Sequence, residues 1–335
     1  MQFNRIYSTI ESHAAGEPLR IVTGGVPQIQ GATMLERRRW AQEHLDHVRR
    51  ALMHEPRGHV DMYGCYITPP VTPEADLGVI FMHNEGYSTM CGHGVIALAA
   101  VAVATGMIAS TIPETRVGMD TPAGFVEAFV EWDGQQTGRT RFRNVPSFLY
   151  RQDLTVETPS FGPLTVDVAF GGAFYAYLDA AQAGLTVQPS KYRALVQLGD
   201  EVKHAVEAAI QVVHPLEPEL HGIYGTIIDG PPPQPGADQA NVCIFADREV
   251  DRSPTGTGTA GRVAQLYARG QLKIGQSFVN ESIIGTHFVG RVLEETTVGD
   301  LPAVIPEIAG QGYIVGFAQW LVDPNDPVAE GFFLR

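Results

Sequence analysis

Short apolar runs bounded by glycine, proline or charged residues recur along the whole chain, and each predicts a β-strand. The clearest strand predictions are residues 78–82, 168–176, 241–245 and 312–317. Periodic apolar patterns that predict helices are fewer, and they cover residues 28–53, 94–109, 191–213 and 259–270. The stretch 230–236, with three consecutive prolines, predicts a loop. Strand-rich halves with one central helix each favour an α+β fold over an alternating parallel sheet.

The length of 335 residues suggests about two domains. We expect a first half at residues 1–125, a second half at 126–310, and a C-terminal tail at 311–335 that packs back on the first half. The segment 117–128 is the predicted crossover between the halves. With these boundaries, each half contains one of the two loops that carry the candidate catalytic residues.

These two loops are similar in sequence. Met90-Cys91-Gly92-His93-Gly94 precedes one predicted helix, and Pro254-Thr255-Gly256-Thr257-Gly258 precedes another. In both, a small nucleophile-type side chain is followed by Gly-x-Gly, and the two side chains are 164 residues apart (255 − 91). A helix N-terminus offers backbone N–H groups and partial positive charge, which together stabilise a carboxylate. The pattern therefore predicts two similar halves that present their helix N-termini to one central cleft.

Composition limits the partners that the chain can bind. Lys and Arg total 23 and Asp and Glu total 37, so the net charge is −14. This acidic balance argues against nucleic-acid binding and against anionic membranes, so a small anionic substrate must be held by local features. The apolar stretch 95–109 is too short to span a bilayer, and the start of the chain shows no signal-peptide pattern. We therefore expect a cytoplasmic protein.

The chain has three cysteines, Cys65, Cys91 and Cys243. This number is small and odd, so the cysteines do not indicate a disulfide framework. Most cysteines are inert packing residues, and Cys65 and Cys243 fit that interpretation because they lie in strand patterns. Cys91 differs because glycines flank it just before a helix. A helix N-terminus lowers a thiol pKa from about 8.5, and a nearby histidine, here His93, can assist. Cys91 is therefore the candidate catalytic thiol.

Other chemistries fit the sequence less well. Gly256-x-Gly258-x-x-Gly261 matches a dinucleotide-binding fingerprint by letters, but a charged segment separates it from the preceding strand. Cys91 and His93 have no accompanying CxxC or HExxH pattern, so no metal site is predicted. The Gly-x-Ser-x-Gly pattern of serine hydrolases does not occur. Asp251 is open to three interpretations: an exposed turn, a loop cap, or a ligand for a substrate ammonium group.

Both loops, together with residues 120–124, 224–228 and the tail at 323–332, resemble the proline racemase family. That family contains proline racemases, 4-hydroxyproline 2-epimerases and trans-3-hydroxy-L-proline dehydratases. The resemblance implies two pseudo-symmetric halves of the diaminopimelate epimerase type, each a β-sheet around a central helix, with the active site in the cleft between them. It also implies a homodimer that needs no cofactor.

The resemblance further implies roles for individual residues. Racemases and epimerases of the family carry a cysteine in each loop, whereas the second position here is Thr255, a pairing that resembles the dehydratase branch. His93 and Asp251 are implied to hold the ring nitrogen of the substrate. The predicted catalytic residues are Cys91 and Thr255, and the predicted substrate-binding residues are Gly92, His93, Asp251, Gly256 and Thr257.

Acid–base chemistry leads to the same expectation. A thiol can act as acid or base near neutral pH, but a threonine hydroxyl titrates far outside that range, so Cys91 alone cannot invert a stereocentre. In trans-3-hydroxy-L-proline the Cα hydrogen and the 3-hydroxyl share one ring face. We therefore expect Cys91 to take the proton and pass it to the departing hydroxyl, giving Δ1-pyrroline-2-carboxylate and water, while Thr255 closes the other face. A proline racemase or 4-hydroxyproline epimerase, and a non-catalytic imino-acid-binding protein, remain open alternatives.

Overall fold

The computed structural model describes residues 5–334, which form two compact units. Unit 1 contains the chain up to Thr140 and the chain from Gln311 onward, and unit 2 contains Arg141–Gly310. The sequence predicted domain limits at residues 125 and 310, and these limits remain predictions. The strands are β1 Arg5–Ala14, β2 Glu17–Gly24, β3 Tyr63–Thr68, β4 Leu77–His83, β5 Glu114–Thr121, β6 Gly124–Trp132, β7 Thr137–Arg143, β8 Phe148–Thr158, β9 Gly162–Phe170, β10 Phe174–Asp179, β11 Gly225–Gly230, β12 Gln239–Phe245, β13 Glu249–Asp251, β14 Ser277–Ser282, β15 His287–Val298, β16 Leu301–Gly310 and β17 Gly312–Val322. The α-helices are α1 Met34–His44, α2 Asp46–Met53, α3 Gly92–Ala104, α4 Tyr192–Ala209 and α5 Gly256–Ala268.

The two units repeat one strand order. In unit 1, β17, β1, β2, β3, β4, β5 and β6 pair in succession, and only the β2–β3 and β4–β5 pairs are parallel. In unit 2, β8, β9, β10, β11, β12, β14 and β15 pair in succession, and only the β10–β11 and β12–β14 pairs are parallel. Parallel neighbours need a crossover, which α1 with α2 and then α3 supply in unit 1, and α4 and then α5 supply in unit 2.

Each unit wraps its strands around one helix. In α3 every residue from Gly92 to Val103 is buried, and the helix packs against β1, β2, β6 and β17. In unit 2, α5 packs against β8, β9, β10, β15 and β16. A helix that is apolar on all sides is stable only when it is fully enclosed, which explains why α3 lies at the centre of its unit. The predicted α+β architecture, a β-sheet around a central helix in each half, is confirmed.

Several predicted elements have different limits in the structure. The helix expected at 28–53 is two helices, because a capping box between Thr33 and Glu36 starts α1 at Met34 and the chain turns at Leu45 before α2. The strand expected at 168–176 is interrupted at Gly172, whose φ of +108° allows the turn between β9 and β10. Residues 117–128, the predicted crossover between the halves, lie in the β5–β6 hairpin of unit 1, and the boundary between the halves stays a prediction.

Candidate active site

Cys91 is the N-cap residue of α3, and its thiol takes part in the cap. Its Sγ accepts a hydrogen bond from the Gly94 N–H at 3.2 Å. A Cβ at Gly94 would lie 2.9 Å from Sγ and would overlap the Phe81 ring, so only glycine leaves this space. The N–H hydrogen bond and the positive end of the helix dipole both favour the thiolate form of Cys91. The helix begins two residues earlier than the sequence predicted, so Gly92 and His93 belong to its first turn.

His93 lies directly beside this thiol. The distances from Cys91 Sγ to the ring atoms Nδ1 and Nε2 of His93 are 3.2 Å and 3.6 Å. The Tyr63 and His93 rings pack in a T-shaped arrangement, with ring centroids 4.9 Å apart and an interplanar angle of 76°. The Tyr63 hydroxyl contacts Ser88 Oγ at 2.5 Å. All four side chains are buried, so the histidine can exchange a proton or a hydrogen bond with the thiol in a water-poor environment.

Thr255 holds the equivalent cap position of α5, but its side chain is used differently. Its backbone lies in the left-handed region with φ +60°, where a β-branched residue is an outlier. Threonine is a good N-cap residue, yet this side chain makes no cap hydrogen bond. Among the described residues, its Oγ1 is buried with no hydrogen-bond partner. A strained backbone and an orphaned hydroxyl at one residue are typical of a ligand-binding position.

The neighbours of Thr255 hold it in this conformation. Its N–H donates to Ser253 Oγ at 3.1 Å, and its carbonyl accepts from the Thr259 N–H at 2.6 Å. The preceding Pro254 carbonyl accepts from the side-chain amides of Asn241 and Asn280, at 2.9 Å and 3.3 Å. The conformation is therefore enforced from both sides, which is how a protein maintains local strain.

Asp251 ends β13 and is buried. Its Oδ1 accepts the Ser253 N–H at 2.7 Å, so the carboxylate caps the loop that leads to Thr255. This is one of the three roles that the sequence left open, and the exposed turn is wrong. The role as ligand for a substrate nitrogen stays a prediction.

Close packing explains Gly258 and Gly261 of the second Gly-rich segment. Thr257 Oγ1 lies 2.7 Å from the Tyr175 hydroxyl, and the Tyr177 hydroxyl donates to the Gly258 carbonyl at 2.8 Å. A Cβ at Gly258 would lie 2.6 Å from Ile227 Cδ1, and a Cβ at Gly261 would overlap the Tyr177 hydroxyl. The resemblance to a dinucleotide fingerprint thus follows from close packing of α5 on β10 and β11.

The structure groups the predicted residues as two constellations. Cys91, Gly92 and His93 meet at the start of α3, and Asp251, Thr255, Gly256 and Thr257 meet at the start of α5.

Cys65 and Cys243 lie inside β3 and β12 as expected, and burial raises the pKa of the Cys65 thiol. Within residues 5–334, no cluster of three or more His, Cys, Asp or Glu side chains could hold a metal ion. No helix in that range is long and apolar enough to cross a membrane.

Sequence reasoning missed the tyrosines around these constellations. A usable signal was present: Tyr63-Gly64 begins β3, and Tyr224-Gly225 stands at the start of β11, 161 residues later (224 − 63). That offset nearly equals the offset between Cys91 and Thr255. The two dipeptides are therefore a second internal repeat: Tyr63 contacts His93 in unit 1, and Tyr224 contacts Tyr175, the neighbour of Thr257, in unit 2.

Comparison with known proteins gives a consistent assignment. The sequence matches the proline racemase family over residues 9–333. The chain belongs to this family. A trans-3-hydroxy-L-proline dehydratase of Burkholderia cenocepacia is 59% identical over 335 residues that cover both chains completely. A 3-hydroxyproline 2-epimerase of Burkholderia multivorans is 58% identical over the same length, again with complete coverage of both chains.

Solved structures of this family have the same fold. A crystal structure of a hydroxyproline epimerase from Agrobacterium vitis, with bound trans-4-hydroxy-L-proline, superposes with a TM-score of 0.93. It is 34% identical and covers 100% of this chain and 97% of its own. A PhzF-family phenazine biosynthesis protein of Bacillus anthracis, 10% identical, gives a TM-score of 0.59 over 95% of this chain and 100% of its own. This second likeness shows the fold alone, and it supports the predicted diaminopimelate epimerase type.

Proposed function

We propose that this proline racemase family member is a cofactor-independent hydro-lyase that converts trans-3-hydroxy-L-proline into Δ1-pyrroline-2-carboxylate and water. The observation that carries the proposal is the pair of equivalent helix caps, one with a thiol beside a histidine and the other with a threonine. A thiol titrates in the range that proton abstraction needs, and a threonine hydroxyl does not. One base is sufficient for elimination but not for inversion, which requires a second group on the opposite ring face.

In the proposed mechanism, the Cys91 thiolate removes the Cα proton of the substrate. The negative charge that develops near the carboxylate is stabilised by the N–H groups that start α3 and α5. The electron pair of the broken C–H bond forms the Cα–Cβ double bond as the C3–O bond breaks. The thiol then transfers its proton to the departing hydroxyl, which leaves as water. The released enamine tautomerises to the cyclic imine, so atoms and charge balance without an external reagent.

Three sets of substrate contacts complete the proposal. His93 and Asp251 hold the ring nitrogen as the cation, which acidifies Cα. The Thr255 hydroxyl donates a hydrogen bond to the bound substrate, which gives its buried Oγ1 a partner. The N–H groups of Gly92, His93, Gly256 and Thr257 bind the carboxylate.

The test is to incubate the purified protein with trans-3-hydroxy-L-proline and trap the cyclic imine with o-aminobenzaldehyde. L-proline and trans-4-hydroxy-L-proline are followed in parallel by polarimetry. We expect imine from the first substrate and no change in rotation with the other two. Cys91→Ser should reduce turnover by roughly a hundredfold or more, since it removes the base. Cys65→Ala is the control, because this thiol lies inside β3. Near-full turnover by Cys91→Ser would rule out the assigned base.

A second candidate, an epimerase, is favoured by one specific observation, the name of the Burkholderia multivorans relative. The two activities share the Cα proton abstraction and differ in the next step, which is loss of the hydroxyl in one and reprotonation of Cα in the other. Inversion of any of the three substrates without imine formation would establish the epimerase in place of the dehydratase.

We further propose that the protein works as a homodimer in the reducing cytoplasm. All three cysteines carry thiols and are buried, as expected for a chain that does not rely on disulfides.

Five exposed apolar side chains form one surface of unit 1, here termed the β17 stripe: Tyr313, Val315, Phe317 and Leu321 on β17, and Ile6 on β1. This stripe carries no charge, so a second copy can approach it despite the net charge of −14 on each chain.

A further inference from the structure

Tyr63 connects three parts of unit 1 that surround the catalytic thiol. Its hydroxyl contacts Ser88 Oγ at 2.5 Å, and its ring forms a T-shaped pair with the His93 ring. The His83 ring stacks on Tyr63 with centroids 5.7 Å apart and an interplanar angle of 25°. Tyr63 is buried, as are these three neighbours. A ring that is held by two ring contacts and by its hydroxyl has little freedom to move.

The loop that carries Ser88 is itself fixed by arginines of the crossover helices. Arg38 in α1 donates two hydrogen bonds to the Tyr87 carbonyl, at 3.0 Å and 2.7 Å. Arg49 in α2 donates to the His83 carbonyl at 3.0 Å and to the neighbouring Asn84 carbonyl. Charged donors make strong hydrogen bonds, so these contacts fix the backbone on the N-terminal side of Ser88. Ser88 can therefore hold the Tyr63 hydroxyl in one position.

We propose that Tyr63 is a positioning residue, which holds the His93 ring in the orientation that places Nδ1 3.2 Å from the Cys91 thiol. A hydrogen bond to sulfur weakens as its angle departs from linearity, so rotation of the His93 ring removes its support for the thiolate. The inference deepens the proposed function and rests on it for the role of Cys91 as base. The titratable side chains along this line of contacts are His93 beside the thiol, Tyr63 beside His93, and His83 beside Tyr63.

In unit 2 a tyrosine from a different strand contacts the corresponding helical residue. Thr257 occupies the position that His93 occupies in unit 1, two residues after the cap of the central helix. The buried Tyr175 hydroxyl lies 2.7 Å from Thr257 Oγ1. Tyr175 lies on β10, the counterpart of β2, and it contacts Thr257 through its hydroxyl, whereas Tyr63 lies on β3 and contacts His93 through its ring.

The experiment compares Tyr63→Phe, Tyr63→Leu and Ser88→Ala with the wild-type protein. The pH dependence of Cys91 alkylation by iodoacetamide, quantified on the Cys91 peptide by mass spectrometry, reports the thiol without any substrate. For Tyr63→Leu we expect the midpoint to rise by about half a pH unit or more. We also expect kcat for imine formation to fall by roughly tenfold to a hundredfold and KM to rise, because the reoriented His93 is also the proposed ligand of the substrate ring nitrogen. Tyr63→Phe and Ser88→Ala should give smaller changes in the same direction.

Tyr66→Phe is the matched control, because Tyr66 lies on the same strand and packs into the core cluster on its other face. Thermal melting of each variant establishes that it is folded, and the two smaller variants keep the test valid if Tyr63→Leu does not fold. Unchanged alkylation midpoints in the folded Tyr63 variants would overturn the proposal, whether or not kcat falls. A shifted midpoint in a protein that turns over no imino acid would support the positioning role and reject the proposed function.

Discussion

At the scale of single residues, the difference between a thiol and a hydroxyl at the second helix cap sets the predicted reaction. Thr255→Cys restores a group that titrates near neutral pH, and cysteine accepts the positive φ more easily because it is not β-branched. We expect this variant to invert trans-4-hydroxy-L-proline at least tenfold faster than the wild-type protein, which polarimetry and solvent-deuterium incorporation at Cα measure. Thr255→Ser, which lacks a thiol, should not invert it. Equal inversion by the serine and cysteine variants would contradict this assignment.

A buried carboxylate gives a second prediction at this scale. Burial raises the pKa of Asp229 to about 6, and the Arg262 guanidinium, 3.7 Å away, only partly offsets this. Between about pH 4 and 6 the folded chain therefore holds a proton on Asp229 that the unfolded chain has released, so this group adds stability as the pH falls. Relative to Asp229→Asn, the wild-type free energy of unfolding should rise on the order of 2 kcal/mol from pH 7 to 4.5, as measured by urea unfolding. A pH-independent difference would contradict the raised pKa.

At the scale of elements, close packing of α5 against β10 explains the glycine at position 261 of the helix. A Cβ at Gly261 would overlap the Tyr177 hydroxyl, so Gly261→Ala should destabilise the protein by about 1–3 kcal/mol. Adding Tyr177→Phe removes the overlapping oxygen and should recover part of that loss in thermal melting, although it also removes the hydrogen bond to the Gly258 carbonyl. Gly86→Ala is the control, because a Cβ there meets no atom within 4 Å. The absence of any recovery in the double variant would show that the strain lies elsewhere.

Local sequence signals predicted the elements of this fold where one physical cause dominates. The helix after Cys91 could be predicted because a wholly apolar segment must be enclosed, whereas its true start depends on a thiol acting as a cap, for which sequence rules offer no precedent. The division between α1 and α2 at Leu45 has no glycine or proline to mark it. The orphaned hydroxyl of Thr255 and the contacts of Tyr63 arise from tertiary packing, so periodicity could not reveal them.

At the scale of the whole molecule, the internal repeat is stronger in the structure than in the sequence. Only the two loops and the two Tyr-Gly dipeptides retain visible similarity, but the order and direction of seven successive strands are the same in both units. Hydrogen-bonded strand order depends on backbone geometry and tolerates many side chains, whereas a cap residue determines chemistry directly. This explains how one half can present a thiol and the other a threonine on the same framework.

The β17 stripe provides a prediction about assembly. Residues 313–321 extend about 27 Å along the strand, and Phe317 at their centre is 71% exposed. A stripe of this length can form the apolar core of an interface that buries about 800 Å² on each partner. We expect analytical ultracentrifugation to give twice the chain mass of 36.3 kDa for the wild-type protein. Phe317→Asp should give the single chain mass, because it places a charge at the centre of the stripe.

Leu216→Asp is the matched control for this experiment, since Leu216 is 67% exposed but lies in unit 2, outside the stripe. It should leave the mass unchanged. Circular dichroism of both variants separates loss of assembly from loss of fold. A wild-type protein that sediments as a single chain at micromolar concentration would reject the homodimer. A dimeric Phe317→Asp variant would instead reject the β17 stripe as its interface, because a carboxylate from each copy cannot be buried at the centre of an apolar contact without a partner.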